Sequence, residues 1–231
     1  MKSSILGILI WALAAGVSVA DQRPVVVELF TSQGCSSCPP ADALLAELAP
    51  RDDVIALALH VDYWDYIGWK DTFGNPQFSQ RQKRYAHVAG ERSVFTPQMV
   101  VQGVDHVIGY QPMKLAELIA NHFGDSSDVD LDLRRNGNAL SVSARAARPF
   151  AGSAIVHLVR YRPLETVKIS RGENAGNAIS YANIVTSWEQ VGKWDGKRPL
   201  QLRLDVSGTD SVVVLIQREG PREVLAAARL R

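Results

Sequence analysis

Cys35 and Cys38 are the only cysteines of the 231-residue chain, and Ser36 and Ser37 stand between them. A disulfide across so short a spacing closes a tiny loop and removes little entropy from the unfolded chain, so stapling is a weak reason for the pair. Thiol chemistry is a better one. At a helix N-terminus, free backbone N–H groups stabilise a thiolate, and in Cys-x-x-Cys settings a thiol pKa falls from about 8.5 to roughly 3.5–7.5. The thiolate attacks a disulfide through a mixed-disulfide intermediate. Cys35 is therefore the expected nucleophile and the more exposed sulfur. Cys38, one turn along, is expected to resolve the intermediate, and the Ser36 and Ser37 hydroxyls could hydrogen-bond to the thiolate. The same two thiols would also suit a soft cation such as Cu(I), with His60 or His87 completing the site. A structural zinc site usually needs four protein ligands, and neither a second cysteine pair nor a finger-spaced histidine pair is present. A third reading is a partner-binding module whose cysteines stay bonded. No cofactor and no metal site is assigned.

The elements that must position this pair alternate. Residues 25–30, Val-Val-Val-Glu-Leu-Phe, form a β-branched run expected to be a buried strand. Residues 31–34 turn, and Pro39 and Pro40 suit a first helical turn. Leu44, Leu45 and Leu48 then recur at helical spacing. Residues 54–61 read as a second strand. Asn75-Pro76 reads as an N-cap followed by proline at the first helical position, opening a helix to about Val88. Residues 98–102 and 106–108 are close enough for an antiparallel hairpin, and Pro112 opens a last helix. The order is β-α-β-α-β-β-α, and the first crossover implies a parallel, right-handed pairing.

A polar stretch at 124–128 marks a candidate boundary. Beyond it, Asn136-Gly137 between residues 129–135 and 139–146 is a strong hairpin signal. Residues 154–161, 179–188, 200–206, 212–218 and 224–230 are further strand candidates. Seven short strands suggest a small β-sandwich. The expected organisation is a leader over 1–20, an α/β domain with a mixed sheet flanked by helices over 21–124, and a smaller all-β, sandwich-like domain over 125–231.

Lys2, an apolar stretch over 5–17 and Ser18-Val19-Ala20 have the form of a signal peptide cleaved before Asp21. That run is shorter than the ~20 residues a membrane span needs, so a periplasmic or secreted protein without a membrane anchor is expected. With 46% hydrophobic residues, 21% charged residues and a net charge of +1, the composition shows no basic footprint for nucleic acid.

The element order and the cysteine turn resemble the thioredoxin-like superfamily across about residues 22–124. Further motifs narrow the resemblance. They are Cys35-Ser36-Ser37-Cys38-Pro39-Pro40-Ala41-Asp42, the segment from His60-Val61-Asp62-Tyr63-Trp64 to Trp69-Lys70-Asp71, Arg81-Gln82 and Gly172-Glu173-Asn174. Together they resemble a secreted bacterial family catalogued as domain of unknown function 1223. The resemblance implies a thioredoxin-like fold with a C-terminal β-domain and brings no known substrate.

It also implies roles. Thr96-Pro97, just ahead of the third core strand, matches the cis-proline of thioredoxin-like folds, where the preceding backbone pairs with substrate. Thr96 and Pro97 are thus expected at the site. Glu28 resembles the buried acid that moves a proton for the second cysteine, although it stands seven residues before Cys35 rather than six. Gly34 stands where thioredoxins often have tryptophan. Trp64 and Trp69, in an aromatic connection over 62–73, could wall a substrate groove or pack a loop. Asp62, Asp65 and Asp71 are expected to cap turns, with a bound cation as the alternative. The loop over 171–177 could meet the α/β half or turn on the surface. The implied activity is thiol–disulfide exchange with a protein or low-molecular-weight thiol or disulfide partner.

Overall fold

The structure is a computed structural model that describes residues 23–124 and 128–231. The expected signal peptide lies outside the described residues, as do residues 125–127 of the candidate linker.

The N-terminal half follows the expected order: β1 (Val25–Thr31), α1 (Pro39–Leu48), β2 (Val54–His60), a single 3-10 turn (Asp65–Ile67), α2 (Pro76–Val88), β3 (Gln98–Val101), β4 (Asp105–Ile108) and α3 (Pro112–His122). β1 runs parallel to β2, with Val25 opposite Val54 and Thr31 opposite His60, and antiparallel to β3 on its other side. Every residue of β1 and β2 is buried, because helices and loops cover both faces of these strands. Strand alternation then sorts the side chains. Val25, Val27 and Leu29, with Val54, Ala56 and Ala58, pack under α1 and α3. Val26 and Phe30, with Ile55, Leu57 and Leu59, pack under Phe78 and Tyr85 of α2.

The C-terminal half supplies β5 (Val129–Asn136), β6 (Ala139–Ala146), β7 (Ala154–Lys168), β8 (Ala178–Trp194), β9 (Leu200–Asp205), β10 (Ser211–Arg218) and β11 (Val224–Leu230). The strands are near those expected, but their grouping differs. Only β5, β6 and β9 form a separate antiparallel sheet. The other four extend the first sheet, which has eight strands in the order β11-β10-β7-β8-β2-β1-β3-β4. The chain is thus a mixed α/β protein with a large mixed sheet and a second, antiparallel sheet, and the expected sandwich is corrected in its membership. The physical reason is the edge of β2: β8 runs parallel to it, with Ala58 opposite Ile184, and closes an edge that would otherwise expose unpaired backbone. The small sheet packs on the large one through Leu140 and Val142 against Val156, Leu158 and Val214.

Candidate functional site

Two tight turns carry the chain from β1 to α1. The Cys35 N–H donates to Ser32 O at 3.1 Å, and the Cys38 N–H to Cys35 O at 3.2 Å. Cys38 is the N-cap residue of α1, and Pro39 and Pro40 follow it. The prolines carry no N–H, so two of the donors expected to stabilise a thiolate are missing. The Cys35 sulfur meets the Ser37 hydroxyl, Sγ to Oγ at 3.4 Å. The cysteines are joined in a disulfide with a Cα–Cα distance of 5.4 Å. Cys35 was expected to be the more exposed, yet both are enclosed, at 2% and 0% of their surface, while Ser36 and Ser37 are exposed.

Thr96 and Pro97 come to the same place. Their peptide bond is cis, and Thr96 O accepts a bond from the Ser37 hydroxyl at 3.4 Å. Gln82 of α2 secures this turn by donating to Phe95 O and to Gln98 Oε1, each at 2.7 Å. Trp64 also joins it: its Nε1 donates to Thr96 Oγ1 at 2.6 Å. A Cβ at Gly34 would lie 3.3 Å from Ile67 Cδ1 and 3.4 Å from Trp64 Cβ. The aromatic connection therefore packs directly against the backbone ahead of Cys35.

Trp69 faces elsewhere. Its Nε1 donates to Gln33 Oε1 at 2.9 Å, and the loop after β7 lies over it. Gly172, at φ +76°, approaches so closely that a Cβ there would stand 3.2 Å from Trp69 Cβ. From that loop, the buried Asn174 donates to Gln33 O at 2.9 Å and to Cys35 O at 3.0 Å. The loop over 171–177 is thus a clamp on the cysteine turn. Asp71 anchors the other side, accepting from Gln33 N–H at 2.7 Å and Phe73 N–H at 2.8 Å, and from His60 Nδ1 at 2.8 Å.

Glu28 is not brought to the cysteines. It lies on the face of β1 turned toward α2, opposite the face under α1. Both its oxygens are taken by Arg81, at 2.6 and 2.8 Å, and the Tyr85 hydroxyl donates to it at 2.6 Å. Burial opposes the Arg81 charge, but Glu28 and Tyr85 more than offset it and raise the Arg81 pKa. Arg81 also lies 3.7 Å from the centre of the Trp188 ring. This saturated pair holds α2 to the sheet, which corrects the proton-transfer role expected of Glu28.

The acid on the cysteine side is Asp42, which stands within the Cys35–Asp42 motif. It is 3% exposed. Burial, partly opposed by His60 and Thr31 and reinforced by Asp71, pushes its carboxyl up to about 7. Neither Asp42 oxygen meets a well-formed hydrogen bond, although the neighbouring Thr31 hydroxyl favours its charge, and His60 Nε2 has no partner. The only sequence signal was position: Asp42 is one helical turn past Cys38. Among the described residues no cluster of three or more metal-ligating side chains is present, and no described helix is long and apolar enough to cross a membrane.

The fold and site define a mixed α/β protein carrying a Cys-x-x-Cys disulfide in a strand-to-helix turn. It belongs to the protein family of unknown function DUF1223, whose profile matches residues 26–217. It is similar to the solved structure of protein AGR_C_4864 from Agrobacterium tumefaciens, at 31% identity and a TM-score of 0.78, over 91% of this chain and 96% of that one. It also shares its fold with HBP35 of Porphyromonas gingivalis, at 15% identity and a TM-score of 0.66, over 90% of this chain and 75% of that one. Among curated proteins none matches.

Proposed function

We propose that this chain is an exported thiol–disulfide oxidoreductase whose N-terminal half is thioredoxin-like. One observation carries the reading: the Cys35–Cys38 disulfide sits in the turn entering α1, with exposed Ser37 bridging it to the backbone of Thr96. In the reduced protein, Cys35 thiolate attacks a substrate disulfide. One substrate sulfur leaves with the electron pair, and a Cys35–substrate disulfide forms. Cys38 thiolate then attacks Cys35 Sγ, the second substrate sulfur leaves as a thiolate, and the substrate has gained the two electrons the protein lost. Thr96 and Pro97 line the approach, and Trp64 holds Thr96 in place. The chain has no third cysteine, so electrons are exchanged with an external protein or low-molecular-weight thiol or disulfide. The signal-peptide form of residues 1–20 supports a periplasmic or secreted setting for this chemistry.

The test is equilibration of the mature protein with glutathione or dithiothreitol buffers, together with the alkylation rate of Cys35 against pH. A reversible two-electron couple and a thiol titrating below about 8.5 are expected. A pair that does not cycle, or a Cys35 that never alkylates in the folded protein, would remove the activity from this site.

A further inference from the structure

The two cysteines are held by different means. Cys38 belongs to α1: its carbonyl accepts from the Ala41 N–H at 2.9 Å and the Asp42 N–H at 3.1 Å, so it moves with the helix. Cys35 lies ahead of that helix, in a turn closed by its own N–H on Ser32 O and by the Cys38 N–H on its own carbonyl. The side chain that reaches the Cys35 backbone is Asn174, from the C-terminal half. Its Nδ2 bridges the carbonyls on either side of Gly34, Gln33 O at 2.9 Å and Cys35 O at 3.0 Å. Carbonyls only accept, so the amide nitrogen with its two N–H groups is the end of the side chain that fits there. The loop carrying Asn174 is braced. Its ends are tied by the Ile169 N–H on Asn177 O at 2.9 Å and the Gly176 N–H on Ile169 O at 2.8 Å, and the Ala175 N–H donates to Gly172 O inside it. It extends from the β7–β8 hairpin, where Asn183 of β8 donates to Ala56 O of β2 at 2.9 Å. Within this surface loop Arg171, Glu173 and Ala175 are exposed, while Asn174 alone is turned inward, 5% exposed.

Resting on the exchange activity proposed above, we infer that Asn174 is a positioning residue for the resolving step, keeping Cys35 within reach of Cys38 while Cys35 carries the substrate. In the mixed disulfide Cys35 Sγ is bonded to substrate and no longer to Cys38, so no covalent link holds the turn against α1. Asn174 on the Cys35 and Gln33 carbonyls, with Asp71 on the Gln33 N–H, keeps it there. Cys38 thiolate then attacks Cys35 Sγ, the Cys35–Cys38 bond forms, the Cys35–substrate bond breaks, and the substrate sulfur leaves with its electron pair. Attack from a held geometry avoids an entropy loss that a free turn would meet in that step. The tie has an equilibrium consequence as well. In the oxidised protein the disulfide restrains Cys35 whether or not Asn174 is present. In the reduced protein that restraint is gone and Asn174 carries more of the load. Removing Asn174 therefore frees the reduced turn more than the oxidised one and favours the dithiol.

The experiment mixes the reduced mature protein with one equivalent of 5,5′-dithiobis(2-nitrobenzoate), which releases one chromophore when Cys35 attacks and a second when Cys38 resolves. In Asn174→Ala the first phase should be at least as fast as in wild type and the second slower by roughly tenfold, so that the Cys35 adduct accumulates and is seen by mass spectrometry. Asn174→Asp keeps the shape but offers the carbonyls no donor, and should behave as the alanine variant does. In glutathione buffers the equilibrium constant for closing the disulfide should fall several-fold in both. Hydrogen exchange followed by NMR gives a reading in the wild-type fold: the Asn174 side-chain N–H groups should stay protected in the reduced protein. A second phase within about twofold of wild type, or both phases slowed alike, overturns the inference and leaves the exchange activity standing. Unprotected Asn174 N–H groups in the reduced protein do the same, because the tie is then absent when Cys38 attacks. A reduced protein with no first phase overturns both.

Discussion

Two buried acids lie on opposite sides of β1, and their surroundings are opposites. Glu28 is saturated: Arg81, Tyr85 and, through them, Gln217 give it a closed set of partners. Asp42 has no such set: neither oxygen meets a well-formed hydrogen bond, and only the neighbouring Thr31 hydroxyl and His60 favour its charge. Both are excluded from water, so solvent cannot explain the difference. A buried charge whose lone pairs are all used can hold architecture together but has no capacity left to accept a proton cheaply. A buried acid left open keeps that capacity at the cost of stability. The saturated acid lies under the helix that does not carry a cysteine, and the open one lies on the helix that does.

The contrast is sharpest if the saturated pair is broken. Arg81→Met strands the Glu28 carboxylate and is expected to cost about 3–5 kcal/mol in urea unfolding. The thiol reactivity of whatever fraction remains folded should be unchanged. A loss below about 1 kcal/mol would mean that the pair is not what ties α2 to the sheet.

The open acid should behave in the opposite sense. Its folded pKa of about 7 lies above the ordinary value of 3.8. The folded state therefore binds the proton more tightly, and stability falls as pH rises from about 4 to about 7 before levelling off. The limiting penalty is on the order of 4 kcal/mol. Asp42→Asn should flatten that profile, matching wild type at the acid end and exceeding it in urea midpoint at about pH 8. An asparagine variant less stable than wild type above neutrality would show that Asp42 is a structural acid like Glu28.

The clamp from the C-terminal half is expected to count for less. Asn174→Ala leaves Gln33 O unmet and Cys35 O with the Cys38 N–H alone, and should cost about 1–3 kcal/mol. Because the enclosed turn is then less firmly held, Cys35 in the reduced protein should alkylate faster. An unchanged alkylation rate would separate the clamp from access to the sulfur. The smallest effect belongs to Trp64→Phe, which removes the donor to Thr96 for about 1 kcal/mol. It should weaken turnover with a peptide disulfide more than reaction with a small aromatic one.

Much of this was legible locally. Asn75 caps α2 by accepting from the Gln77 N–H at 2.9 Å, as Asn75-Pro76 predicts. Asn136-Gly137 turns the β5–β6 hairpin with Gly137 at φ +58°, a conformation glycine adopts without strain. Cys35 and Cys38 needed only their spacing and the prolines after them. Each signal is short-range, because caps, turns and alternation are decided by residues a few positions apart.

Partnership across the chain was not legible. An apolar run announces that a strand is buried but not which edge it pairs with, so β8 read as part of a sandwich rather than the neighbour of β2. Asn174 stands 139 positions from Cys35, whose carbonyl it holds, and its motif marks the loop without saying which backbone groups it meets. The choice between Glu28 and Asp42 was of the same kind. Both are single acids in apolar surroundings, and only the packed structure decides which finds an arginine and which finds none. The sequence by itself determined the elements and the cysteine turn. The tertiary structure decided which strands share a sheet, what encloses the cysteines and which acid is paired with an arginine, because those outcomes depend on contacts that exist only after distant segments meet.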